Sequence, residues 1–133
     1  KDAQQLATIR RFTRDLNFPI EIVSCPIIRE DDGLAKSSRN TYLSPEERQA
    51  ALILSKSLEK GKEAINQGER NAQNIINIIK KNLTTEPLAR IDYVEVVDFE
   101  NIQRIKEISG KTLVAIAVYI GKTRLIDNFI ITL

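Results

Sequence analysis

The chain has 133 residues, 42% of them hydrophobic and 29% charged, a balance that excludes a disordered tail and allows one ordinary domain, or one small domain with part of another. A net charge of +2, with Lys and Arg scattered among acids, excludes the basic footprint of a nucleic-acid binder, and no apolar run approaches the length needed to cross a bilayer. The single cysteine, Cys25, leaves no internal disulfide and fits a cytoplasmic location. Without any histidine to activate it, Cys25 reads as a small buried hydrophobe rather than a nucleophile.

Isoleucine and leucine supply most of the candidate core, since aromatics make up only 5% and tryptophan is absent. There is no methionine, and the chain opens on Lys1-Asp2 with helix-start chemistry already under way, so a piece of a longer protein is expected.

Asp2 is placed to cap a helix with apolar positions Leu6, Ile9, Phe12 and Leu16, and Gln5 stands three residues after it as in a capping box. Asn17-Phe18-Pro19 ends that helix. A β-branched run, Ile20 to Cys25, follows between two prolines, and Ile27-Ile28 come next. A helix leading closely into such a strand is half of a βαβ unit whose first strand is missing.

Ser44-Pro45-Glu46-Glu47 is the clearest helix start, with Ser as N-cap, Pro at the first helical position and Glu at the third. This helix is expected from about Pro45 to Gln67, with Ala51, Leu54, Leu58 and Ile65 on its apolar side, Gly61 weakening it and Gly68 ending it. A second helix, about Ala72 to Leu83, carries Ile75, Ile76, Ile78, Ile79 and Leu83, an apolar surface wide enough for burial against more than one neighbour.

From Thr84 the period changes. Arg90 to Val97 alternates like a half-buried strand, Leu113 to Ile120 is continuously apolar like a central strand, and Leu125 to Leu133 makes a last strand after Gly121-Lys122. Between the first two, Ile102, Ile105 and Ile108 suggest a short helix, with Asp98 near its cap and Gly110 past its end.

Three polar features stand apart from packing. Lys1, Asp2 and Gln5 lie at a helix N-terminus, where free amides favour anions, or where Asp2 and Gln5 simply cap the helix. The loop Asp31 to Asn40 concentrates Gly33, Lys36, Ser37, Ser38 and Arg39, a composition that can wrap a phosphate but also occurs in solvated loops. Arg124 and Asp127-Asn128 sit in or beside the last strand, where an Asp-Arg pair is more often a structural clamp than a site.

Taken together, Lys1-Asp2-x-Gln4-Gln5-Leu6, then Arg29-Glu30-x-Asp32-Gly33-Leu34-Ala35-x-Ser37-Ser38-Arg39-Asn40-x-Tyr42-Leu43, and finally Arg124-Leu125-Ile126-Asp127-Asn128, resemble the pantothenate synthetases (pantoate–β-alanine ligases). The resemblance runs the length of the chain but covers only the C-terminal half of such an enzyme. It implies the fold. An α+β domain at 29–133, with a two-helix layer on a small, mainly antiparallel three-stranded sheet, would act as a lid. Residues 1–28 would be the last helix and strand of a truncated Rossmann-like α/β nucleotidylyl-transferase domain.

The resemblance also implies the chemistry. ATP-dependent condensation of pantoate with β-alanine proceeds through pantoyl adenylate, with Mg²⁺ accompanying ATP and no protein metal ligand expected from this half. Lys1 would reach the ATP phosphates, Asp2 a ribose hydroxyl, Gln5 pantoate, and Ile28 would offer its backbone to adenine. Lys36 to Arg39 would be the KMSKS-like loop, with Ser37, Ser38 and Arg39 stabilising the phosphates; Lys36 stands where an apolar residue is also common in the family. With no histidine, the family's His-x-Gly-His motif is missing, so the chain alone is expected to be inactive; the resemblance also implies that the parent is a homodimer. The alternative is a non-catalytic α+β module that self-associates through Leu6, Ile9, Ile20 and Ile22.

Overall fold

The uncharged run from Thr112 to Tyr119 needs neighbours on both sides and both faces, and the fold supplies them. In the computed structural model, which describes residues 2–16 and 26–133, strand β2 (Lys111–Ile120) is the centre of a three-stranded antiparallel sheet. Its neighbours are β1 (Ala89–Asp98) and β3 (Thr123–Thr132). Ile116 stands opposite Val94 and Asp127, and Tyr119 opposite Arg90 and Arg124, so the register fixes which side chains share a face.

One face is covered by helices. The Ser44 hydroxyl accepts from the Glu47 amide while the Glu47 carboxylate accepts from the Ser44 amide, a complete capping box that starts α2 (Pro45–Ala50). The long helix expected from Pro45 is divided here. Leu52 and Leu54 bond back three residues, to Gln49 and Ala51, so the chain tightens for one turn before α3 (Ile53–Asn66) resumes. Helix α4 (Ala72–Leu83) has the expected limits, with the Asn71 side chain as its N-cap.

Leu54, Ile65, Ile75, Ile79 and Leu83 pack fully buried against Val114, Ile116, Val118 and Ile120. Gly61, whatever it costs in helix propensity, is also a packing device. A Cβ there would stand 2.8 Å from Ile79 Cδ1 and 2.9 Å from Cγ1, so its absence lets α3 and α4 approach.

Two expectations need correction or fall outside the structure. Residues 99–110 are not a helix: Asp98 caps a turn through the Asn101 amide, and the chain then runs extended beside β1, with Asp98 N–H donating to Gln103 O and Ile105 N–H to Val96 O. The isoleucines three apart serve this edge, and Ile108 is buried. The N-terminal helix forms as α1 (Ala3–Asp15), whereas the strand at Ile20–Cys25 and residue Lys1 lie outside the described residues. No helix among the described residues is long and apolar enough to cross a membrane.

Candidate functional site

The serine loop is built on a narrow turn. Glu30 N–H donates to Leu34 O, Gly33 N–H to Glu30 O and Lys36 N–H to Ile28 O, folding residues 28–36 back on themselves. The turn needs φ of +99° at Gly33, a value that L side chains rarely adopt. Leu34 and Ala35 are buried and root the turn in the core, and Asp32 accepts from Arg48 of α2 at 2.9 Å. That hydrogen bond holds the Asp32 carboxyl below the usual carboxylate range, with desolvation opposing it and the Leu34 amide assisting.

Beyond the turn the chain presents its polar groups outward. Ser37 caps a short 3₁₀ turn (Ser38–Tyr42), its hydroxyl accepting from the Arg39 amide at 3.2 Å. Lys36, Ser38 and Arg39 are exposed. The far side of the loop is tied down by Asn40 Nδ2, which donates to Ala35 O at 3.1 Å, and by Arg39 Nη1, which donates to Arg124 O at 3.2 Å. Ser37, Arg39, Asn40 and Arg124 line a cavity of ≈ 10 Å³, about the size of one water.

Arg124 and Asp127 do not pair with each other. Arg124 Nε donates to Asp92 at 2.9 Å and its guanidinium lies 5.8 Å from the centre of the Tyr93 ring. Burial pushes the Tyr93 phenol up, Arg124 pulls it down, and Glu95, Asp2 and Asp92 push it up again.

Asp127 instead meets Arg29. Nη1 reaches Oδ2 at 2.8 Å, Nη2 reaches Oδ1 at 3.0 Å, and the carboxylate side chain is 1% exposed. The Asn128 amide adds a third bond at 2.8 Å. The hydrogen bond to Asp127 raises the Arg29 pKa, against burial. Parity could have flagged this pair. Leu125, Asp127 and Phe129 alternate along β3, which turns a carboxylate toward the core-facing side, where it requires a cation.

The remaining candidates are less convergent. Asp2 Oδ1 accepts from the Gln5 amide at 2.9 Å, as a helix cap does, and both residues are exposed. Among the described residues no hydrogen bond joins either of them to the loop. The Ile28 side chain is 68% exposed and its carbonyl is engaged by Lys36. A larger cavity of ≈ 640 Å³, lined by α4 and β1 residues including Lys80 and Glu95, shares no lining residue with the loop. Among the described residues no group of three or more His, Cys, Asp or Glu could hold a metal ion.

Comparison with known proteins places this architecture. The family model described as Pantoate-beta-alanine ligase matches residues 1–130. A protein named pantothenate synthetase from Enterococcus faecalis is 67% identical over 129 residues, covering 97% of this chain and 46% of its own. The crystal structure of pantothenate synthetase from Thermus thermophilus superposes with a TM-score of 0.90 at 39% identity, covering 97% of this chain and 46% of that one. The pantoate-beta-alanine ligase of Francisella tularensis, solved with beta-gamma ATP and beta-alanine, gives a TM-score of 0.58 at 27% identity, covering 97% and 40%. The chain spans about half the length of the curated relatives it matches.

Proposed function

This chain belongs to the pantoate-beta-alanine ligase family, and on that premise we propose that it supplies the phosphate-binding lid of an enzyme that joins pantoate to β-alanine at the expense of ATP. The match of residues 1–130 to the ligase family carries the reading. The loop geometry supports it: exposed cations and hydroxyls stand on a turn rooted in the core by Leu34 and Ala35.

In the first step a pantoate carboxylate oxygen bonds to the α-phosphorus of ATP, and the bond to the β-phosphate oxygen breaks to release pyrophosphate. In the second, the β-alanine amine attacks the acyl carbon, AMP departs with the former carboxylate oxygen, and the nitrogen loses a proton. The enzyme's share in step one is positioning and charge neutralisation on the leaving pyrophosphate, which suits Lys36, Ser37, Ser38 and Arg39. Ile28 would meet adenine, Lys1 and Asp2 the nucleotide, and Gln5 pantoate. Mg²⁺ would arrive with the triphosphate, bound chiefly by its phosphate oxygens and water.

Residues 29–133 are then the lid and 1–28 the edge of the nucleotide domain, with the parent a cytoplasmic homodimer. Detached from that domain, the chain exposes Ile9 and Leu16, at 43% and 54%, which favours self-association of the isolated piece. Replacing Ser37 and Ser38 together by Ala in the full-length enzyme should slow pyrophosphate release about 10²-fold, measured in a pantoate-dependent assay. Unchanged release would remove the loop from the chemistry.

A further inference from the structure

We propose that Arg29 and Asp127 are positioning residues for adenylate formation: their ion pair sets where the Ser37–Arg39 loop presents its donors to the triphosphate. The inference rests on the ligase reading above and extends it to two residues remote from the phosphates.

Asp127 is on β3 opposite Ile116, on the helix-covered face, with its side chain 1% exposed. Arg29 comes from 98 positions away in the chain and engages both carboxylate oxygens. Its Nη1 also donates to Gly33 O at 2.9 Å, so one guanidinium ties the apex of the turn to β3. The bond from Lys36 N–H to Ile28 O carries that constraint to the residue before Ser37.

On its far side the loop is held to the same strand by Arg39 Nη1 on Arg124 O. The two attachments differ in kind. The Asp127 attachment is ionic, bidentate and shielded; the Arg124 attachment is a single exposed contact to a neutral carbonyl at 3.2 Å, which a phosphate oxygen can replace. The shielded attachment therefore fixes the loop's position while the exposed one leaves Arg39 able to turn to a ligand. A purely stabilising role accounts poorly for the pair, because apolar residues of similar volume often stabilise as much as a buried ion pair does.

The test uses the full-length enzyme with Asp127→Asn, which keeps the shape, and Arg29→Lys, which keeps the charge without the fork. Two rates are measured: pantoate-dependent pyrophosphate release, and AMP release from supplied pantoyl adenylate with β-alanine. Pyrophosphate release should fall about 10²-fold in Asp127→Asn, and by less in Arg29→Lys, with the second rate and the KM for pantoate unchanged. Should Asp127→Asn not fold, the partly exposed Arg29→Lys decides alone. Parallel loss of both rates, no loss of either, or failure of both variants to fold would each overturn the positioning role. An unsubstituted enzyme that releases no pyrophosphate would sink the ligase reading itself, and the proposal with it.

Discussion

On the helix-covered face of the sheet, Ile75, Ile79, Leu83, Ile116 and Ile120 are completely shielded and hold one another by close packing, whereas between Pro26 and Leu43 only Leu34 and Ala35 are buried. Discrete polar ties hold that second region: Arg29 to Asp127, Asp32 to Arg48, Asn40 to Ala35 and Arg39 to Arg124. The two regions show two ways in which a small domain holds its chain. Packing is non-directional and makes a stiff platform, while hydrogen bonds and ion pairs have direction and place a few donors at defined points. Damage to the first region should appear as lost stability and damage to the second as lost chemistry.

The largest effect that would sharpen this contrast is Ile79→Ala. It leaves a cavity between α3, α4 and the sheet and should cost about 2–5 kcal/mol in urea unfolding, with pyrophosphate release per folded molecule unchanged in the full-length enzyme. The paired Ser37 and Ser38 substitutions should do the reverse, costing no more than the lost Ser37 cap, about 1 kcal/mol, while adenylate formation drops; a loss of stability as large as that of Ile79→Ala would remove the distinction.

Gly61→Ala is a finer probe of the platform. Alanine improves helix propensity by about 1 kcal/mol, but its Cβ would meet Ile79, so the expected net result is destabilisation of about 1 kcal/mol in the same unfolding assay. A gain in stability would show that the helices have room to part.

The smallest effect concerns Asp32. Its folded pKa is below its unfolded value of about 3.9, so its contribution to stability is present above that value and fades as pH falls through the folded one. The stability gap between the wild type and Asp32→Asn should therefore narrow below about pH 4. A gap that stays constant through the acid range would mean that the Arg48 contact is not formed in solution.

Much of the platform was legible in the sequence because local rules and packing agree there. The Ser44 capping box, the isoleucine face of α4, and the uncharged run of β2 from Thr112 onward each point to one structure. The serine loop stood out by composition without its role being fixed by it, and the family was legible in three motifs. What sequence could not supply was their meeting: Arg29 belongs to the second motif and Asp127 to the third, and only the fold joins them. Arg124 and Asp127 look like partners along the strand, yet they occupy opposite faces of the sheet and take different ones. The segment 99–110 misled because isoleucines three apart fit a helix, whereas the free edge of β1 offered its backbone a better set of partners.

In the proposed function this chain carries the phosphate-binding part of a ligase whose remaining machinery lies in the other half of the parent protein. The most direct measurement is AMP release in the presence of ATP, pantoate and β-alanine, by the 133-residue chain alone and by the full-length protein. Turnover is expected from the full-length protein and none from the chain alone. Comparable turnover from the 133 residues by themselves would show that the other half is not required.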